Sequence, residues 1–122
     1  MDYSFSYDER RNLLSVKQSG YWALETFRAF EQEFLGWHAK IRARHDRYCV
    51  IAECADYRVQ SNEVGEAFGR FFTRLMAENL GRYAILVGST LNAMQAKRVF
   101  PQPHVQVFTD RDAAMAWLFE GG

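Results

Sequence analysis

The first residues of the chain alternate between apolar and polar side chains, as strands with one buried face do. Tyr3, Phe5 and Tyr7 share one face of an extended chain, while Ser4 and Ser6 share the other. A polar break over residues 8–12 separates this segment from a second apolar one over residues 13–18. Two short strands around a polar break predict a β-hairpin.

From Trp22 onward the apolar spacing becomes that of helices. A first stripe at intervals of three and four residues contains Leu24, Phe27, Phe30, Phe34, Trp37 and Ile41. A second stripe contains Val64, Phe68, Phe71, Phe72, Leu75 and Met76. They predict one helix that ends near residues 44–46 and another that Ser61 caps at its start and Leu80-Gly81 at its end.

Three apolar runs of β-favouring residues, 48–54, 83–87 and 105–108, predict buried strands. Gly88-Ser89-Thr90 turns into a short helix that carries Leu91 and Met94, and Thr109 caps a closing helix that carries Trp117. The order β-β-α-β-α-β-α-β-α predicts a single α/β domain over residues 1–122. Its mixed sheet has about five strands and four helices to cover them.

Composition narrows the class of protein. The 122 residues include 15 Lys and Arg against 15 Asp and Glu, and 48% are apolar, which is typical of one ordinary globular domain. Zero net charge argues against a nucleic-acid or membrane-surface binder. No apolar run reaches the roughly 20 residues of a membrane helix, and the N-terminus lacks the pattern of a signal peptide. We expect a cytoplasmic protein with no nucleic-acid partner and no membrane insertion.

Neither a disulfide nor a metal site is expected. Cys49 and Cys54 lie five steps apart in one predicted strand, which puts them about 16 Å apart on opposite faces. A disulfide needs Cα atoms within about 7 Å. The three histidines form no ligand cluster with them, so we expect reduced cysteines, no metal and no cofactor.

The densest basic stretch, residues 40–47, falls at the end of the first predicted helix. Cations at that position favour the negative end of the helix dipole, which is the ordinary explanation. The alternative is a local patch that binds a phosphate or an acidic partner.

Ligands of α/β sheets tend to bind at the carboxyl ends of the parallel strands. In this chain that edge carries Asp56, Tyr57 and Arg58, in a predicted loop after the central strand, with Ser61, Gly88, Ser89, Thr90 and Thr109. The amides of Gly88-Ser89-Thr90 either cap a helix or bind an anion, although the segment lacks the lysine of a phosphate-binding loop. No catalytic set is visible at suggestive spacing, so we expect no enzymatic activity.

Several strings resemble the STAS domains, the family of anti-sigma-factor antagonists and sulfate-transporter tails. More specifically, the chain resembles stand-alone bacterial STAS-like, or SpoIIAA-like, proteins. The strings are Gly20-Tyr21-Trp22, Val59-Gln60-Ser61-Asn62-Glu63-Val64, Leu91-Asn92-Ala93-Met94-Gln95-Ala96-Lys97-Arg98 and Val107-Phe108-Thr109-Asp110 with the Ala113-to-Leu118 ending. The resemblance covers essentially the whole chain and implies a STAS-like fold and a non-enzymatic regulatory or protein-interaction module.

In the anti-sigma antagonists, a serine in an Asp-Ser-Ser-Gly segment at the start of the second helix is the phosphorylation site. Ser61 occupies that place here, although Gln60 replaces the acid and no glycine follows directly. The resemblance implies a phosphorylation switch at Ser61, while the residues alone indicate a helix N-cap.

The broad apolar face of the second predicted helix favours either a homodimer or a pocket for a small apolar ligand. A distant likeness to lipid-binding CRAL-TRIO domains points the same way as the pocket. A carrier or sensor for a small apolar or anionic ligand is therefore the alternative to the regulatory module.

Overall fold

A computed structural model describes residues 2–90, 93–94, 100 and 102–120 of the chain. It has five strands: β1 (Tyr3–Asp8), β2 (Leu13–Gly20), β3 (Cys49–Tyr57), β4 (Tyr83–Leu86) and β5 (Val105–Phe108). Within the described residues it has three helices: α1 (Leu24–Arg42), α2 (Asn62–Glu78) and α3 (Arg111–Leu118). The α/β class is confirmed, but the count of helices is one fewer than the four predicted. The fourth helix, which the sequence predicts after Gly88, lies mostly outside the described residues, at 91–92 and 95–99, while the described residues Thr90, Ala93 and Met94 are helical.

The strands form one mixed sheet in the order β1-β2-β3-β4-β5. β1 and β2 pair antiparallel, as the predicted hairpin requires, and all later neighbours pair parallel. Each parallel step moves in the same direction across the sheet. Because such crossovers are right-handed, α1 and α2 lie on the same face.

The main core lies between the sheet and these two helices. Phe27, Phe30, Phe34, Phe71 and Phe72 from the predicted stripes are at most 5% exposed. α3 covers the other face beneath β3, β4 and β5, where Ala114 and Leu118 pack with Leu13, Ile51 and Ala84. Among the helices that the structure describes, none is long and apolar enough to cross a lipid bilayer.

The two cysteines are free, and they belong to the cores on opposite faces of the sheet. This confirms the prediction from their odd spacing, because side chains five positions apart in a strand point in opposite directions. Within the described residues, no group of three His, Cys, Asp or Glu side chains is placed to hold a metal ion.

The central strand is longer than predicted. Asp56 and Tyr57 belong to β3 instead of a loop, and they pair with Ser19 and Gly20 of β2. The prediction was wrong because polar composition marked a turn. The partner strand β2 continues to Gly20 after a shift of register between Lys17 and Ser19, and it supplies ladder partners for these residues.

Two predicted helix caps were also wrong by a residue or two. Asn79 is the C-cap of α2 instead of Leu80-Gly81. Asp110 instead of Thr109 caps α3, with its Oδ2 accepting from the Ala113 N–H at 3.1 Å. The side chains of Asn79 and Asp110, the observed caps, accept hydrogen bonds from nearby backbone N–H groups. Thr109 comes directly after the last residue of β5 and before the cap.

Asn79 joins the end of α2 to the start of β3. Its Oδ1 accepts from Tyr48 N–H at 3.0 Å and Gly81 N–H at 3.1 Å, and its Nδ2 donates to Tyr48 O at 3.0 Å. The backbone passes so close here that a Cβ on Gly81 would lie 2.0 Å from Tyr48 O. The geometry of this corner therefore depends on an amide at 79 and a glycine at 81.

Candidate functional site

The carboxyl ends of the parallel strands lie at one edge, and a cavity opens between this end of the sheet and α2. Its volume is about 520 Å³, within the usual range for small-molecule sites. Its walls are mostly apolar, and its described lining residues are Gln18, Ala52, Cys54, Tyr57, Arg58, Val59, Gln60, Val64, Gly65, Phe68, Phe72, Tyr83, Ile85, Val87 and Phe100.

Alternation along the strands explains which side chains reach this cavity. Ala52 and Cys54 of β3 and Tyr83 and Ile85 of β4 fall on the face that α2 covers. From α2 itself, Val64, Phe68 and Phe72 recur at helical spacing and form the opposite wall. The cavity is thus a gap in the main core near the edge of the sheet.

Two neutral polar atoms on this wall have no hydrogen-bond partner in the described part of the chain. They are Nε2 of Gln18, a residue that is 2% exposed, and the hydroxyl oxygen of Tyr57. Both atoms are buried. A buried polar group without a partner costs about 1–3 kcal/mol, so these two atoms lower the stability of the wall by an amount of that order.

The Tyr57 side chain is held in place by its neighbours. Its ring meets that of Trp22 edge to face with the centroids 5.0 Å apart, and the Trp22 indole N–H donates to Ser19 O at 2.8 Å. Since Ser19 and Tyr57 lie on the adjacent strands β2 and β3, these contacts fix the position of the Tyr57 ring.

Burial keeps the thiol and the two phenols of the cavity wall, those of Cys54, Tyr57 and Tyr83, uncharged at neutral pH. It raises the pKa of the Cys54 thiol to about 12, although the sulfur remains at the cavity wall. It also raises the pKa of Tyr57, and the neighbouring Cys54 adds to this rise while Gln18 opposes it. The pKa of Tyr83 is raised by burial as well.

Gln60 joins the segment after β3 to the end of β2 and the start of the loop that follows it, at the mouth of the cavity. Its Oε1 accepts from Trp22 N–H at 2.7 Å, and its Nε2 donates to Gly20 O at 2.9 Å and Arg58 O at 2.6 Å. A carboxylate could not make the two donated bonds. At this position the anti-sigma antagonists have an acidic residue. In this chain a glutamine is needed there, because its amide nitrogen donates both of these hydrogen bonds.

Ser61 is the N-cap of α2, as the residues alone predicted. Its Oγ accepts from Val64 N–H at 3.3 Å, and its side chain is partly exposed. Its neighbours Gln60 and Val64 line the cavity. Phosphorylation at Ser61 stays a prediction.

The structure brings only part of the predicted edge to the cavity. Tyr57 and Arg58 line it, whereas Asp56 is exposed and belongs to the opposite side of its strand from Tyr57. Gly88, Ser89 and Thr90 follow β4 and are exposed, and they are not among its described lining residues. A ligand or partner at any of these positions remains a prediction.

Sequence reasoning missed Gln18 and Cys54 as site residues. A signal for Gln18 was present, because Leu14, Val16 and Gln18 share one face of β2 and a polar side chain on a buried face needs a partner. The cavity itself left no such signal. Phe68 and Phe72 belong to an ordinary core stripe, and only the packed fold shows that they leave space.

The basic segment 40–47 lies at the other end of the molecule. Arg42 donates to Glu78 O, and Arg44 pairs with Glu9. Arg47 lines a second cleft with Arg11 and Arg82, whose guanidinium groups pair with Asp8 and Glu120. Lys40 and Arg42 lie in the last turn of α1, as the helix-end explanation expects, and an acidic partner for the segment stays a prediction.

Comparison with known proteins agrees with the fold described above. A family model described as SpoIIAA-like matches residues 13–119. The chain is also similar to the crystal structure of an uncharacterized protein from the DUF3478 family, with a SpoIIAA-like fold, from Shewanella loihica PV-4. The two are 15% identical with a TM-score of 0.74, over 95% of this chain and 93% of the other. Among curated proteins, a search found no match.

Proposed function

Because the chain belongs to the SpoIIAA-like family, whose model covers residues 13–119, we propose that it is a non-enzymatic binding module for a small apolar ligand. The observation that carries the proposal is the cavity of about 520 Å³ beside α2. Interiors of proteins are packed with few voids larger than a water molecule. A gap of this size among Phe68, Phe72 and Ile85 is therefore a place for a ligand.

The hydrocarbon 1,6-diphenylhexatriene tests the proposal, since its fluorescence rises when it enters an apolar site. Gly65 lines the cavity, and a Cβ at that position meets no atom within 4 Å. Gly65→Phe should therefore be accommodated at its Cβ and place a ring at the cavity mouth. We expect the protein to bind one equivalent of the dye saturably and the variant to bind it at least about tenfold more weakly.

Gly36→Phe is the matched control, because Gly36 is also helical with an open Cβ position but does not line the cavity. It should bind the dye as the unchanged protein does. No saturable binding by the unchanged protein, or equal binding by both phenylalanine variants, would contradict the proposal.

A second candidate function is a regulatory protein-interaction module switched by phosphorylation at Ser61. Its support is the position of Ser61, which is partly exposed at the N-terminus of α2 and lies beside two residues of the cavity wall. A phosphate there would add nearly two negative charges at the positive end of the helix dipole and change the surface that a partner meets.

Affinity capture with Ser61→Asp and Ser61→Ala proteins tests this candidate in the host cell. The two variants should recover different amounts of a stoichiometric protein partner, and identical recovery would contradict the switch.

Light scattering after size exclusion checks the predicted homodimer, which would have about twice the 14.2 kDa mass of the chain.

A further inference from the structure

A single charged side chain lies at the mouth of the apolar cavity. Among the described lining residues, Arg58 alone carries a formal charge, and it is exposed directly after the end of β3. The thiol and the two phenols of the described wall are neutral, because burial keeps Cys54, Tyr57 and Tyr83 protonated. A ligand that enters the cavity therefore meets one formal charge on the described wall, and that charge is positive.

The main chain of Arg58 is held at this position from two sides. Its N–H donates to Gly20 O at 3.1 Å, and its carbonyl oxygen accepts from Gln60 Nε2 at 2.6 Å. Arginine can lay its methylene groups along an apolar wall while its guanidinium group stays in water. Arg58, which both lines an apolar cavity and is exposed, is placed to do this. The held main chain thus keeps the charge at the rim of the cavity, in contact with water.

The guanidinium group of Arg58 has no ion-pair or hydrogen-bond partner within the described part of the chain. Asp56 and Glu63 are exposed and close in the sequence, but neither pairs with it and neither lines the cavity. Arg11 and Arg111, by contrast, each pair with a carboxylate. Because the planar fork of a guanidinium group matches the oxygens of a carboxylate or a phosphate, Arg58 has donors to offer to an anionic group at the mouth.

The inner wall and the mouth favour different parts of one molecule. The wall formed by Val64, Phe68 and Phe72 favours a hydrocarbon chain, which leaves water when it binds. An ionised group would lose its hydration inside this wall without an opposite charge to compensate for the loss. At the mouth the same group keeps its contact with water and gains the attraction of Arg58.

From this arrangement we infer that the cavity binds an amphiphile, an apolar chain that ends in an anionic group, with the chain beside Phe68 and Phe72 and the anionic group paired with Arg58. The inference rests on the proposed function and names the ligand class for the same site. It joins in one molecule the apolar and the anionic ligand, which the sequence left as alternatives.

Ten-carbon probes with different headgroups test the inference by calorimetry. The pH is one at which carboxylic acids are ionised, and the concentrations are below those at which the probes form micelles. The probes are decanoate, decyl phosphate and decyltrimethylammonium, with 1-decanol as the uncharged reference. Since exposed ion pairs stabilise only modestly, we expect the two anions to bind at least about fivefold more tightly than the cation. Decyltrimethylammonium that binds as tightly as decanoate would overturn the inference.

Substitutions at position 58 assign the preference to one side chain. Arg58→Ala should weaken decanoate binding by about fivefold and leave 1-decanol binding unchanged, because only the ion pair is lost. Arg58→Glu should reverse the order of the two ions, so that decyltrimethylammonium binds more tightly than decanoate. A preference for decanoate that survives both substitutions would overturn the inference.

Arg10→Ala is the matched control. Arg10 is also exposed, and its side chain has no partner among the described residues, but it lies in the turn between β1 and β2 and does not line the cavity. This variant should keep the preference of the unchanged protein. An equal loss of decanoate binding in Arg10→Ala and Arg58→Ala would contradict a specific role of Arg58.

The outcomes separate the two proposals. If neither diphenylhexatriene nor any decyl probe binds, the proposed function fails. If the dye and 1-decanol bind and Gly65→Phe blocks both, but decanoate and decyltrimethylammonium bind equally, the proposed function stands and the pairing of an anionic group with Arg58 is wrong.

Discussion

Single buried side chains hold separate parts of the chain together. Asn79 is 0% exposed and uses its side-chain oxygen and nitrogen to bond the backbone of Tyr48 and Gly81. His38 is 8% exposed and bridges Tyr48, just before β3, and Glu78 of α2. Neither residue stood out in the sequence, because an asparagine after a helix and a histidine within an apolar stripe are both common.

Asn79→Ala should lower the free energy of unfolding by about 3 kcal/mol. The substitution leaves the Tyr48 N–H and carbonyl and the Gly81 N–H without their partner in a buried corner. Urea denaturation measures the change. Asn62→Ala is the control, since Asn62 is exposed at the start of α2 and should change stability by less than about 0.5 kcal/mol. Equal effects of the two variants would contradict the structural role of Asn79.

His38 lies between the Tyr48 hydroxyl and the Glu78 carboxylate, 2.7 Å from the first at Nδ1 and 3.0 Å from the second at Nε2. Because a carboxylate only accepts, Nε2 carries the proton and Nδ1 accepts from the hydroxyl. Burial lowers the pKa of His38, and the interaction with Glu78 offsets only part of that effect. The folded protein therefore favours neutral His38 more than the unfolded chain does.

Stability should consequently depend on pH below neutrality. At pH 7 the histidine of the unfolded chain is mostly neutral, so the contribution of His38 to the free energy of unfolding is fully present. As the pH falls through about 6.5 the unfolded chain takes up the proton first, so the free energy of unfolding decreases until the folded pKa is passed. Chemical denaturation between pH 7 and pH 5 measures this slope. His38→Gln should flatten it, and Asn62→Ala, at an exposed residue that does not titrate, should keep it. A slope unchanged in His38→Gln would contradict this assignment.

At the scale of elements, apolar periodicity predicted the strands and long helices well, and their ends less well. The stripe from Phe27 to Ile41 is the buried face of α1, and residues 105–108 form β5 as predicted. The ends of elements depend on contacts that sequence does not show. β3 continues through Asp56 and Tyr57 because β2 lies beside them, and α3 begins after Asp110 because that carboxylate reaches the Ala113 N–H.

The corrected cap of α3 can be tested by a pair of substitutions. Asp110→Ala removes the acceptor for the Ala113 N–H and should lower the free energy of unfolding by about 1 kcal/mol. Thr109→Val should change it by less than about 0.5 kcal/mol, since Thr109 is exposed and lies outside the cap. Thermal or urea unfolding measures both. A larger loss of stability from Thr109→Val than from Asp110→Ala would indicate that Thr109 is the N-cap, as the sequence predicted.

At the scale of the whole molecule, the edge that holds the cavity depends on Gln60, which bonds Gly20, Trp22 and Arg58. Sequence predicted this edge from the strand order, and it named Tyr57 and Arg58 among the residues there. It could not predict the cavity, because an empty volume is a property of the packed chain and not of any stripe. It also could not predict that Gln60 joins its own segment to Gly20 and Trp22, which lie 40 and 38 positions away in the sequence.

Gln60→Glu should loosen the carboxyl edge and leave the opposite end of the sheet unchanged. The substitution replaces the donated bonds to Gly20 O and Arg58 O by repulsion between a carboxylate and two carbonyl oxygens. Hydrogen exchange should become faster at Trp22 N–H and Arg58 N–H, and remain slow at Tyr48 N–H, which Asn79 protects. Exchange that accelerates equally at all three amides would indicate global destabilisation instead.

The strand order of the sheet has a kinetic consequence. Because the spatial order β1-β2-β3-β4-β5 repeats the order of the chain, each strand finds its partner next to the strand synthesised just before it. The sheet can therefore grow from the hairpin by one strand at a time, without waiting for a distant segment to arrive. Such growth keeps loop closures short for a mainly parallel sheet, and it lets folding proceed while the later strands are still being made.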